Sequence, residues 1–190
     1  MNTGDREAVA DVRRGQRDAF ERLVRQYERR LFSLVLMVVR QPATAEDVTQ
    51  DAFVRAYTHL DLYDDARPFY PWLATIAVRL AHNRLLQQQR RMHGEGGSLH
   101  RTPEPVVADT VLAGLMTSER NRALWQTVAA LPAGERTAVV LHYRDDLSVQ
   151  TIANALGVTT GTVKTLLFRA RRHLREHLQH QLQPREEIPT

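Results

Sequence analysis

Between Val149 and Leu167 the chain reads V-Q-T-I-A-N-A-L-G-V-T-T-G-T-V-K-T-L-L, and few folds accept that order of residues. A small residue, Ala153, is followed four positions later by Gly157 and six beyond that by Val163. Glycine enters the left-handed backbone region cheaply, so Gly157 marks a tight turn between two helices. Ala153 lets those helices touch, and Val163 anchors the second. Ile152, Leu156, Val158 and Leu167 fill the positions that face a small core. This is the layout of a helix-turn-helix. The second helix continues with Lys164, Thr165, Phe168, Arg169, Arg171, Arg172 and Arg175, with no acid among them. A helix in the major groove needs cations for phosphates and short side chains for base edges. The phase set by Val163, Leu167, Ala170 and Leu174 turns Thr162, Lys164, Thr165 and Phe168 towards bases. Arg169, Arg171 and Arg172 then fall to phosphates. An αα-hairpin of a helical bundle with a solvated basic face is the plainer alternative.

Charge agrees with a nucleic-acid partner. The 190 residues hold 26 Lys and Arg against 22 Asp and Glu, a formal net charge of +4. An acidic polymer is a natural partner for such a chain. There is no cysteine. Disulfides and thiolate metal sites are thereby excluded, and a reducing cytosol is the simple reading. The longest apolar run, Leu34 to Val39, is far too short to span a bilayer. The N-terminus carries Asp5, Glu7 and Asp11 and lacks the apolar stretch of a signal peptide. A soluble, cytoplasmic protein without membrane insertion is expected.

The expected fold class is all-α, because alternation, β-branched runs and Asn-Gly turns are missing. From Ala19 to Arg40, apolar residues at Phe20, Leu23, Val24, Tyr27, Leu31, Leu34, Val35 and Val38 recur at helical spacing. Pro42 ends that run, and Thr44 is expected to cap the next helix in a capping box with Asp47. A loop from Leu60 to Pro68 leads to a further helix beginning near Phe69 or Pro71 and running towards Arg91. Gly94, Gly96, Gly97, Ser98, Pro103 and Pro105 then crowd together as in a linker. Helical patterning resumes at about Leu112, Pro132 suits the first turn of another helix, and Ser148 caps the one that opens the motif. Two small helical domains follow, at residues 1–92 and 114–182, joined by a flexible linker over 93–113 and ending in a tail over 183–190. Such a linker is long enough for the domains to fold back on each other.

The first domain has two features of its own. Asp47, Gln50 and Asp51 share one helix face, which is either a solvated helix start or a docking face for a basic partner. Phe69, Tyr70 and Trp72 lead into Arg79, Asn83, Arg84, Arg90 and Arg91. Aromatic rings beside cations suit single-stranded DNA, since bases stack on rings while cations track the backbone. The alternative is that Phe69 and Trp72 are core residues at helical spacing with Leu73 and Ile76. His173, His177 and His180 stand at a zinc-compatible spacing but read as a wet helix face. No cofactor, metal or catalytic constellation is indicated, and enzymatic activity is not expected.

D-V-T-Q-D-A-F-V-R-A-Y at 47–57 and F-Y-P-W-L-A-T-I-A at 69–77 resemble region 2 of the extracytoplasmic-function sigma factors of bacterial RNA polymerase. L-P-x-x-x-R at 131–136, L-H-Y-R-D-D-L-S at 141–148 and the G-T-V-K helix resemble their region 4. The resemblance spans nearly all of Ala19–Leu178. It implies a dissociable promoter-specificity subunit with core polymerase and promoter DNA as partners. Docking on the polymerase clamp would fall to Asp47, Gln50, Asp51 and Val54. Melting and recognition of the −10 element would fall to Phe69, Tyr70, Trp72, Arg79, Asn83, Arg84 and Arg90. Reading of the −35 element would fall to Thr160, Thr162, Lys164, Thr165, Phe168, Arg169, Arg171 and Arg172. An anti-sigma factor, membrane-anchored in the usual arrangement, would hold the protein inactive by clamping both domains. Relatives carry Asn where this chain has Arg79, and Arg where it has Leu166, which either loses a DNA contact or joins the core. An autonomous helix-turn-helix regulator is the alternative function.

Overall fold

A computed structural model describes residues 3–94 and 119–182 of the chain. Those residues form helices joined by short turns, with no strand among them. The N-terminal unit contains α1 (Thr3–Arg13), α2 (Ala19–Val39), α3 (Pro42–Thr58) and α4 (Phe69–Gly94), with a single 3₁₀ turn at Leu60–Leu62. The C-terminal unit contains α5 (Glu119–Ala130), α6 (Ala133–Val139), α7 (Val149–Leu156) and α8 (Thr160–Leu182). The expected tail and nearly all of the expected linker lie outside the described residues. His93 and Gly94 are the exception, and both still belong to α4. The resumption of helix at Leu112 also lies outside them, as does the side chain of His180.

α2 carries the N-terminal core. Leu23, Leu31, Leu34 and Val35 are all but completely buried, on the stripe that the 3.6-residue period lays down. The helix stops at Arg40, which takes the left-handed conformation (φ 62°) and returns its N–H to the Leu36 carbonyl. α3 then begins at Pro42, in the first turn where the missing N–H costs nothing. This corrects the expected start. Thr44 already lies inside the helix, and its hydroxyl donates to Gln41 Oε1 rather than capping with Asp47. α1 was not expected from the sequence. It buries Ala8 and Val9, and its Asp5 carboxylate accepts the Tyr27 hydroxyl at 2.6 Å and the Gln26 amide at 3.0 Å.

In the C-terminal unit the cap and the turn act as read, but Val158, expected in the core, is exposed. Ser148 Oγ accepts the Thr151 N–H at 3.1 Å at the start of α7, and Gly157 closes that helix at φ 67°. Pro132 stands just outside α6, at its N-cap. α6 then widens into a π turn over Val140–Arg144, where the Asp145 N–H reaches the Val140 carbonyl at 3.2 Å. The two units pack together: α4 lies along α7, and α2 lies against α6 and the π turn.

Candidate nucleic-acid interface

α8 sorts its residues by face. Thr159 Oγ1 caps it by accepting the Thr162 N–H at 3.1 Å. Val163, Leu167 and Ala170 are buried against α6 and α7. Thr162, Lys164, Thr165, Phe168, Arg169, Arg171 and Arg172 are all exposed, and Thr160 is half-buried in the first turn. Phe168 leaves 65% of its surface to solvent, unusual for an aromatic residue that no partner covers. The Thr165 hydroxyl donates back to the Gly161 carbonyl at 3.0 Å, leaving its methyl group and an oxygen acceptor outward. Arg172 meets only the exposed Glu176, at 3.7 Å, a pair worth little in water. Leu166 is half-buried with its Cδ2 lying over Gly134 of α6, so it joins the core. His173 is more than a wet face: its Nδ1 lies 2.7 Å from Oε2 of the buried Glu135. Among the described residues, no three side chains assemble into a metal site.

The aromatic cluster at the start of α4 is divided. Phe69 is a core residue and not a stacking surface, a correction to the expected role. It is fully buried, its ring 5.8 Å from Tyr27, 5.4 Å from Tyr63 and 5.6 Å from Trp72. Bulk and apolarity drew it inside. Trp72 is half-buried, braced on Tyr63 at 5.1 Å. Tyr70 is a second correction to the expected stacking role: it too is buried, with its hydroxyl donated to Asp145 at 2.9 Å. Burial, and then the Asp145 charge, pushes that hydroxyl above the ordinary tyrosine range. Further along α4, Arg79, Asn83, Arg84 and Arg90 are exposed. Arg79 Nη2 donates to the Asn154 carbonyl of α7 at 2.7 Å, and Arg84 lies 3.5 Å from Asp51.

On α3, Asp47, Gln50, Asp51 and Val54 lie together on the solvent side, while Val48, Thr49, Ala52 and Phe53 face inward. Val54 is 61% exposed, and Leu62 just beyond the helix is 76% exposed. An acidic rim around bare aliphatic groups is a surface suited to a basic, partly apolar partner.

Four residues at the junction of the units carry a polar network that sequence reasoning missed. Asp145 has a fully buried side chain. Its Oδ1 accepts Tyr70 Oη and, at 3.1 Å, Arg30 Nε, while Oδ2 has no partner among the described residues. The Arg30 guanidinium also sits 3.8 Å from the Tyr70 ring centroid. Arg144 donates to Ser33 Oγ and to the Arg30 carbonyl, both at 3.0 Å. Arg136 donates to the Met37 carbonyl at 2.8 Å and to Val38 at 3.3 Å, closing the C-terminus of α2 from the other unit. Burial, and then the charge of Arg40, pushes the Arg136 guanidinium down to about 10, which leaves it protonated at neutral pH. The available signal was the motifs themselves: Arg136, Arg144 and Asp145 are charges embedded among Leu131, Val139, Leu141 and Leu147.

The chain is similar to known proteins in sequence and in fold. The Sigma-70 region 2 model matches residues 23–91, and the Sigma-70, region 4 model matches residues 121–174. The ECF RNA polymerase sigma-E factor of Escherichia coli (strain K12) is 34% identical over 193 residues, covering 95% of each chain. The ECF RNA polymerase sigma factor SigW of Bacillus subtilis (strain 168) is 32% identical over 179 residues, covering 90% of this chain and 94% of its own. Among solved structures, CnrH in complex with the cytosolic domain of CnrY superposes with a TM-score of 0.62 at 26% identity, covering 93% of this chain and 98% of that one.

Proposed function

This chain belongs to the extracytoplasmic-function sigma factors of bacterial RNA polymerase, and from that premise we propose how its surfaces divide the work. α8 reads the −35 element, with Thr160, Thr162, Lys164, Thr165 and Phe168 towards base edges and Arg169, Arg171 and Arg172 on phosphates. The loop before Pro68 and the α4 face beyond it melt and hold the −10 element through Trp72, Arg79, Asn83, Arg84 and Arg90. Asp47, Gln50, Asp51 and Val54 dock on core polymerase. The functional domains run from 1 to 92 and from 114 to 182. Family membership displaces the autonomous-regulator alternative. It also fits a non-catalytic subunit acting in the cytoplasm; no described helix is long and apolar enough to cross a membrane. A membrane-anchored anti-sigma factor is the partner that restrains it. CnrH, which shares the fold, was solved with a cytosolic protein domain bound.

The observation that carries this reading is the sorting of α8: every cation on it and Phe168 face solvent, while Val163, Leu167 and Ala170 are spent on the core. The test separates base readers from phosphate holders. Lys164→Ala should cost about 1–3 kcal/mol on the preferred promoter and relax the preference at one or two positions. Arg172→Ala should weaken all sequences alike and flatten the salt dependence by about one charge. A Lys164→Ala protein with unchanged sequence preference rules out that assignment.

A further inference from the structure

Residues 63–68 join the 3₁₀ turn to α4 without helix or strand of their own. Past Tyr63 every residue of this loop is exposed. A segment held only at its ends would sample many backbone conformations. Here α1 holds it from behind. Arg13 Nη2 donates to the Leu60 carbonyl at 2.9 Å and to the Tyr63 carbonyl at 2.7 Å, and its Nη1 donates to the Asp65 carboxylate at 2.7 Å. Two turns earlier on the same helix, Arg6 Nε donates to the Asp65 carbonyl at 3.1 Å. All but one of these acceptors are backbone carbonyls, so the hold sets the path of the chain. The loop also closes on itself, because the Tyr63 hydroxyl donates to the Arg67 carbonyl at 2.5 Å. α1 can bear this because its own seat on α2 depends on neither arginine: it rests on buried Ala8 and Val9 and on the bond from Tyr27 to Asp5.

We propose that Arg13 and Arg6 of α1 are positioning residues for −10 recognition: they fix the backbone of the 63–68 loop in the form that receives the unstacked strand, without touching DNA themselves. The proposal rests on the reading of that loop as part of the −10 surface, and adds what keeps it in shape. Extruding a base is costly, and a loop that had to order itself on the strand would add a second cost to the first. With the brace in place, that ordering is complete once the protein folds. The loop's own charges make the brace necessary. Asp64 and Asp65 are adjacent carboxylates that would repel each other and an incoming phosphate. Arg67 lies 3.2 Å from Asp64, and Arg13 takes Asp65.

The test reads discrimination as well as affinity. Core polymerase reconstituted with the full-length chain captures a randomised single-stranded DNA pool, and sequencing gives the enrichment of the favoured sequence. Arg13→Ala should lower that enrichment by about tenfold, equivalent to losing the register of a single base contact. A randomised duplex pool captured in parallel through α8 should enrich as for the parent. Arg6→Ala should act in the same direction and more weakly, since it removes one bond. Charge alone predicts otherwise: a lost phosphate contact weakens all sequences alike and lowers the salt slope. Arg13→Lys separates the two. It keeps the charge but offers one nitrogen where the fork reaches several acceptors, so it should lose discrimination nearly as the Ala variant does, with the parental salt slope. Parental discrimination in the Lys variant overturns the positioning role.

Hydrogen exchange reads the loop directly. In Arg13→Ala the Arg67 N–H, which donates to the Asp64 carbonyl at 3.0 Å, should exchange faster, while the amides of α1 and α2 keep parental protection. Parental exchange across 63–68 overturns the brace. Lost protection along α1 as well would show that the helix has come away whole, and would reduce Arg13 to a stabilising contact. Ala66→Leu and Arg67→Ala alter the outward side of the loop itself. If neither moves the enrichment, the reading of the loop as a −10 surface has failed and the brace falls with it. If they move it and the Arg13 variants do not, the brace alone is wrong.

Discussion

Arg136 offers a counter-intuitive prediction: keeping its charge should harm the protein more than removing it. Its guanidinium donates to the Leu131 carbonyl at 2.7 Å and Ala129 at 3.4 Å within its own unit, and to Met37 at 2.8 Å and Val38 at 3.3 Å across the junction. The two short bonds dominate. At about 1.5–3 kcal/mol for a hydrogen bond to a charged group, they contribute about 3–6 kcal/mol gross. Against this stands the cost of burying the cation. A fall from 12.5 to about 10 corresponds to about 3 kcal/mol at 1.36 kcal/mol per decade. Arg136→Met gives up the bonds, removes the burial cost and fills most of the space, so the net loss should be about 0–3 kcal/mol. Arg136→Lys keeps the buried charge but offers one nitrogen where the planar fork spans two carbonyl groups, and should lose about 2–4 kcal/mol. Urea unfolding measures both. Trp72 and Trp125 lie one in each unit and are the only tryptophans, so Trp72→Phe and Trp125→Phe backgrounds report the units separately. Their transitions should coincide with Arg136 present and separate in the Met variant. A Lys variant as stable as the parent would show that charge alone suffices and that the bridging geometry is irrelevant.

Other perturbations probe single features. Ser148→Ala removes the α7 cap and should lower stability by about 1 kcal/mol in urea titration, with promoter binding falling only as far as unfolding accounts for; a larger loss of binding would give Ser148 a direct DNA role. Arg84→Ala and Asn83→Ala should impair transcription from duplex promoters and be rescued on pre-melted templates, because extruding bases costs a few kcal/mol that those residues help offset; equal defects on both templates would exclude a role in melting. Asp51→Arg loses only the exposed pair with Arg84, so its thermal melt should barely move, yet pull-down of core polymerase should fall sharply; normal pull-down would place the docking face elsewhere.

Local chemistry made much of this fold legible. Gly157, Ser148, the α2 stripe and the inward phase of Val163, Leu167 and Ala170 each follow from one residue's backbone preference or from one period. Leu166 could be read either way, because a single position on a helix edge is decided by what the neighbouring helix offers, here the bare backbone of Gly134. α1 escaped notice since Ala8, Val9 and Val12 are too few to register a period against Asp5, Arg6, Glu7 and Asp11. Thr44 was misplaced because Pro42 tolerates the first helical turn as readily as it ends the previous helix. The candidate site was half legible. The exposed residues of α8 and α3 follow from phase alone. The burial of Phe69 and Tyr70 depends on Tyr27, Tyr63 and Asp145, which lie up to 75 positions away in the chain. No local pattern encodes a contact between a carboxylate and a ring at such a separation.

The π turn at Val140–Arg144 works as a phase shifter. An α-helix advances each residue by about 100° around its axis, so one residue more or fewer in that turn rotates everything after it by about that angle. Arg144 and Asp145 face α2 and α4 because the turn holds one residue more than an α turn would. Deleting a single residue there would change no side chain downstream, yet would swing both charges off the other unit and leave the α7–α8 pair internally intact. The strength with which one half of the molecule engages the other is thus set by chain length at a single point. An insertion or deletion could retune it in one step, where substitutions would have to dismantle the network bond by bond.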